Sequence, residues 1–163
     1  MYETQMPLEQ QNIKSCAFTG HRELGADFSK EKLRATVEEL VERGVEIFYC
    51  GMAQGFDLFC AEEIVRVKEK NETIKFIACV PYYGQEKKYG EENKKRYVEL
   101  LKKSDEKIIF TKSYFKGCEL ARNRYMAEQA DVLIAYLRKK TGGTAYTVGY
   151  FQKKRVGKEI LFL

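Results

Sequence analysis

Four short stretches hold the residue types that can grip a phosphate, a sugar or a base. The first is Thr19-Gly20-His21-Arg22, which sets the chain's only histidine beside an arginine. An imidazole changes charge near neutral pH, and a guanidinium fork takes two phosphate oxygens at once. The second is Gly51-Met52-Ala53-Gln54-Gly55-Phe56-Asp57, and the third is Thr141-Gly142-Gly143-Thr144. Each runs straight into a helical pattern. Glycine allows close backbone approach, and the free N–H groups and dipole at a helix start attract anions. The fourth is Arg122-Asn123, in a helix whose apolar spacing (Leu120, Ala121, Tyr125, Met126) is irregular.

Each candidate has a plainer reading beside the chemical one. Glycine also serves ordinary strand-to-helix turns, and His21 and Arg22 also read as solvated loop residues. Asp57 suits a ribose hydroxyl, or it caps the helix it opens. Gln54 is placed to meet a base edge. Tyr82 and Tyr83 follow Pro81, where a ring stacks on a base or packs as a strand-end rim. Gly143 is read as a phosphate-loop glycine and Thr144 as the N-cap of the last helix. For acid–base catalysis the candidate carboxylates are Asp57 and Glu62.

These loops need elements to hold them. Apolar runs at 13–19, 45–50, 74–80, 107–111, 131–137 and 159–163 read as strands. Between them, helical patterns occupy 29–43, about 56–70, 85–103, 119–129 and 144–154. Gly90 interrupts the first turns of the third helix, and Tyr89, Tyr97, Val98 and Leu101 form its inward stripe. Strict alternation predicts βαβ units and a mainly parallel six-stranded sheet. The expected fold is α/β: a Rossmann-like three-layer αβα sandwich with helices on both faces. In such sheets ligands bind beyond the carboxyl ends of the strands, where the four stretches fall.

Composition removes several classes. Neither G-x-G-x-x-G nor G-x-x-x-x-G-K-[ST] occurs, so redox dinucleotides and P-loop hydrolysis fit poorly. Five cysteines without a C-x-x-C pair, and one histidine, give no basis for a metal site, and no cofactor is expected. No apolar run approaches the roughly 20 residues of a membrane span. Residues 1–12 read as a short polar leader and 13–163 as one domain. With an odd count of five cysteines, a reduced cytoplasmic setting is the plain expectation. The net charge of +5 favours anionic partners weakly, because Lys87, Lys88, Lys94, Lys95, Arg96, Lys102 and Lys103 read as solvated helix face.

Taken in order, Cys16-Ala-Phe-Thr-Gly-His-Arg22, Gly51-Met-Ala-Gln-Gly-Phe-Asp57, Gly117-Cys118 with Arg122-Asn-Arg-Tyr-Met126, and Gly142-Gly-Thr-Ala-Tyr-Thr-Val148 resemble the YpsA-like family. That family sits in the SLOG superfamily with the DprA/Smf DNA-processing proteins and the LOG phosphoribohydrolases. The resemblance spans nearly all of 13–163 and implies a Rossmann-like fold with a nucleotide-type pocket lined by these loops. LOG enzymes carry a P-G-G-x-G-T-x-x-E motif, whose glutamate has a role in N-glycosidic cleavage. Here Thr147 stands at the matching position, and a threonine cannot replace a carboxylate in that role.

The leading expectation is therefore binding of a nucleotide or nucleotide-derived phosphate ligand, with turnover left open. The alternatives are a hydrolase cleaving an N-glycosidic or phosphoester bond of such a molecule, and a DprA-like nucleic-acid-binding protein. The partner expected is a nucleotide-type small molecule, not a membrane; nucleic acid is not favoured, and self-association is left open.

Overall fold

A computed structural model describes residues 12–163. Apart from Asn12, the leader read over 1–12 lies outside the described residues. Six strands alternate with five α-helices: β1 Ser15–Gly20, α1 Lys30–Glu42, β2 Ile47–Cys50, α2 Phe56–Lys70, β3 Lys75–Val80, α3 Glu91–Lys102, β4 Glu106–Ile109, α4 Cys118–Gln129, β5 Val132–Tyr136, α5 Gly143–Lys154 and β6 Glu159–Phe162. The strands lie in the order β4-β3-β2-β1-β5-β6, and every pairing is parallel. This is the α/β Rossmann-like sandwich that the alternation predicts.

Two cores flank the sheet. Leu33, Val37 and Leu40 of α1 pack with Leu58, Ala61 and Ile64 of α2 and with Tyr97 and Leu100 of α3. On the other face Met126 and Ala127 of α4 meet Val148 and Phe151 of α5. The central strands feed both: Cys16 and Phe18 of β1 point to the first core, and Ala17 to the second. Burial on both faces explains why these strands read as continuous apolar runs.

Residues 85–103, expected as one helix, form two pieces. A 3-10 turn at Gln85–Lys88 precedes α3, and Tyr89 and Gly90 between them are extended. Tertiary bonds account for the break. The Gln85 amide donates to the Gly51 carbonyl at 3.2 Å, and the Tyr89 hydroxyl donates to the Met52 carbonyl at 3.1 Å. Both anchors draw the turn onto the end of β2, at the expense of helix continuity.

From β1 the chain runs outward through β2, β3 and β4, then crosses to β5 on β1's other side. That reversal opens a crevice at the carboxyl ends of β1 and β5.

Candidate functional site

The crevice is a cavity of about 580 Å³. Of the residues singled out in the sequence, it brings together Thr19, Gly20, His21, Arg22, Asp57, Arg122, Asn123, Gly142, Gly143 and Thr144. Gly51, Gln54, Gly55, Tyr82 and Glu62 are not among its lining. Glu62 instead pairs with Arg96 of α3, its Oε1 2.5 Å from the guanidinium, and so faces another helix.

The loop glycines show why some of these positions serve the fold. A side chain at Gly55 would meet the Arg22 carbonyl oxygen at 2.2 Å, and one at Gly20 would strike the Phe56 ring at 2.3 Å. The Phe56 N–H donates to the His21 carbonyl at 3.1 Å, which locks the two loops together. Their glycines thus permit loop-to-loop packing. Between them, buried Met52 is held at φ 61, a region disfavoured for any side chain with a Cβ.

Arg122 is the keystone of the floor and only 4% exposed. Its Nη1 donates to the carbonyls of Gly51 (2.5 Å) and Cys79 (3.2 Å), the first joining the end of β2 to α4 and the second the end of β3. Its Nε donates to Asn123 Oδ1 at 2.7 Å. Because Oδ1 must accept there, the Asn123 amide nitrogen is turned the other way. It lies 3.9 Å from where a Gly143 side chain would begin. A chain of bonds thus aims one amide donor at the start of α5.

Asp57 lies in the first turn of α2 rather than at its N-cap, which is Gly55. Its Oδ2 accepts from the Ala53 N–H at 3.2 Å. Burial pushes its carboxyl up to about 6, against the opposing pull of Arg122. A Cβ on Gly51 would fall within 3 Å of both groups (2.7 Å from Arg122 Nη1, 2.9 Å from Asp57 Oδ2), so glycine there leaves room for this charge pair.

His21 Nε2 accepts the Arg138 backbone N–H at 2.8 Å. A nitrogen accepting from an amide carries no proton, so the ring is the neutral Nδ1–H form. Its pKa is lowered by burial and by the charges of Lys139 and Arg138. Arg22 is ion-paired with Glu119 at 2.6 Å and 63% exposed. Glu119, Lys139 and Gly117 also line the cavity, and sequence reading singled out none of them as site residues. Glu119 had a visible signal, an acid in the first turn of a helix.

The start of α5 differs from the others. Its N-cap is Gly142 at φ 99, not Thr144, and no side chain caps it. Helices α1, α2, α3 and α4 each carry an acid in the first turn, whereas α5 carries none. A Cβ at Gly142 would project into open space, and one at Gly143 would meet only the Asn123 amide nitrogen, at 3.9 Å. Thr144 is buried against the cavity, and Thr147 Oγ1 donates back to the Gly143 carbonyl at 2.7 Å.

A parallel sheet with a polar, glycine-edged cavity at its switch point defines a Rossmann-like α/β protein. Within that class the chain belongs to the YspA SLOG family, whose model matches residues 16–161. A UPF0398 protein of Halalkalibacterium halodurans is 26% identical over 138 residues, covering 83% of this chain and 73% of that one. The UPF0398 protein YpsA of Bacillus subtilis is 25% identical over 156 residues, covering 88% and 87%. Among solved structures, DNA processing protein A of Helicobacter pylori, described for its single-stranded DNA binding mode, aligns with TM-score 0.65 at 22% identity, over 98% of this chain and 68% of that one. The Streptococcus pneumoniae DprA aligns at 0.64 and 17%, over 95% and 51%. At these identities the two structures establish the shared fold. Among the described residues no helix is long and apolar enough to cross a membrane, and no group of three or more His, Cys, Asp or Glu is placed to hold a metal ion.

Proposed function

We propose that this protein binds a nucleotide or nucleotide-derived ligand by its phosphate, at the start of α5. The observation that carries this reading is the Gly142-Gly143 entry to the helix: uncapped, free of acids and facing the Asn123 amide. A phosphate there meets unpaired backbone N–H groups and the positive end of the dipole. His21, as a neutral donor, and exposed Lys139 add polar contacts around the cavity. Arg122 acts through Asn123, which its Nε orients, while its Nη1 is taken by the two carbonyls. The test is Gly143→Val, which places a branched side chain in open cavity at a position of ordinary φ. Calorimetry with AMP and ADP-ribose is expected to show binding lost while circular dichroism is unchanged. Full affinity in the variant would remove α5 from the site.

A second reading takes the phosphate from a single strand. It draws support from the fold shared with a protein described as binding single-stranded DNA. Comparing AMP with an oligonucleotide on the same wild-type protein separates the two readings.

A further inference from the structure

Just before α4 the chain reads Lys112-Ser113-Tyr114-Phe115-Lys116, two aromatic residues bracketed by lysines. Tyr114 is 59% exposed and Phe115 53%, and neighbouring Tyr83 is 66% exposed. Single exposed rings are ordinary, as at Tyr146 and Phe162, but these three lie on adjoining loops. The rim is built, not frayed. The Tyr83 N–H donates to the Thr111 carbonyl at 2.9 Å, and the Cys118 N–H to the Phe115 carbonyl at 3.1 Å. Tyr82 meets the Tyr114 ring edge-on at 5.4 Å. The Tyr114 loop runs on into Gly117 and Glu119, both of which line the cavity.

We propose that Tyr114 and Phe115 form a base-stacking subsite for single-stranded nucleic acid, whose adjoining phosphate sits at the start of α5. The proposal rests on the phosphate reading above. Phe115 is two residues from Gly117, which lines the cavity, so their Cα atoms are at most roughly 7 Å apart. The rings themselves lie outside that lining. A mononucleotide held in the cavity does not need them, whereas the next nucleotide of a strand passes over them. The chemistry suits bases better than an apolar protein partner. The loop from Thr111 to Gly117 holds no aliphatic side chain, and its exposed Lys112 and Lys116 can meet backbone phosphates. Lysine Nζ of residue 87 already sits 5.7 Å from the Tyr83 ring centre, showing how cations settle over these faces.

The experiment measures Kd for a fluorescein-labelled oligothymidylate and for AMP, with wild type, the double variant Tyr114→Ala/Phe115→Ala, Phe115→Trp and Gly143→Val. Stacking on an aromatic is a sizeable part of single-strand affinity, so the double variant is expected to bind the oligonucleotide about tenfold or more weakly. Its AMP affinity and Tm should match wild type, and Phe115→Trp should retain oligonucleotide binding. An oligonucleotide abasic along its length should bind wild type as weakly as the normal one binds the double variant. Unchanged oligonucleotide affinity in the double variant, no oligonucleotide binding by wild type, or an equal loss for AMP would each overturn the subsite. If Gly143→Val spares both ligands, it is the phosphate reading that fails, and the subsite falls for want of its anchor.

Discussion

Asp57 is the residue at which the cavity's chemistry can be read most directly. Its carboxyl is almost wholly buried and shifted from 3.8 to about 6, so the folded protein prefers the protonated acid. Between these values the native state binds more protons than the unfolded chain, and stability falls as pH rises from about 4 to about 6. Above that window the charge is a burden that Arg122 offsets only in part, on the order of 3 kcal/mol at most. Asp57→Asn should therefore raise Tm at pH 8, with the difference vanishing near pH 4; a Tm gap independent of pH would contradict this. An anion bound nearby should hold the proton more tightly still, so phosphate affinity is expected to weaken above pH 6. Catalysis is a separate matter. By its resemblance to the LOG motif Thr147 takes the glutamate's place, and its hydroxyl is spent on the Gly143 carbonyl. Loss of acid–base help typically costs 10²–10⁴-fold. AMP and a cytokinin-type AMP derivative should thus come through long incubation with excess protein uncleaved, as read by chromatography. Release of free base over many turnovers, abolished by Asp57→Asn, would make the protein a hydrolase with its carboxylate on α2.

At the scale of elements, the two glycines that open α5 do different work. Gly142 sits at φ 99, where a Cβ strains the backbone whatever the space around it. Gly143 has no positive φ, and a Cβ there would make only an ordinary contact with the Asn123 amide nitrogen. Gly142→Ala should cost about 1–3 kcal/mol, because φ 99 with ψ −175 is a region essentially confined to glycine. Gly143→Ala should be neutral or slightly stabilising, since alanine loses less entropy on entering a helix. Urea midpoints for the two variants check this, and equal losses would mean that strain is not the distinction. The pattern of elements was legible in the sequence because α1 and α2 show their apolar spacing and each central strand its doubly buried run. The break at Gly90 was legible too, but the 3-10 turn that precedes it was not, because it depends on Gln85 and Tyr89 reaching carbonyls 34 and 37 residues earlier. The same holds at the site. The loops announced themselves by glycine, but the reason for a glycine lies in what faces its Cα, and for Gly20 and Gly55 that is Phe56 and Arg22. Arg122 bonds to Gly51 across 71 residues, a contact that no local spacing encodes. The Lys112–Lys116 segment carried a readable signal in its lysine-bracketed rings, and it gained meaning only beside the cavity.

Over the whole molecule, the +5 charge is distributed unevenly in its effect. On the α1–α2–α3 face Arg34, Arg66, Lys68 and Arg96 are each matched by a carboxylate, as are Arg155 and Lys158 near β6. Around the cavity Lys112, Lys116 and Lys139 are exposed and join no ion pair among the described residues. Exposed, unpaired lysines of this kind bind phosphates by releasing counterions, which ties affinity to salt. For a single strand, log K should fall with log salt at a slope of about −0.7 per phosphate neutralised. Three lysines therefore give a slope of about −2. Exchanging Lys112, Lys116 and Lys139 for glutamine should flatten that slope, while variants of the ion-paired Arg34, Arg66, Lys68 and Arg96 should leave it unchanged. A duplex keeps its bases stacked and cannot offer a face to Tyr114 and Phe115, so only phosphate attraction remains. Its Kd at physiological salt should stay in the non-specific range of about 10⁻⁴ to 10⁻⁶ M. Gel-shift titrations of matched single- and double-stranded oligonucleotides across a salt series measure both quantities. Duplex affinity equal to or tighter than single-strand affinity would show that charge alone drives association, and would remove the aromatic rim from the account.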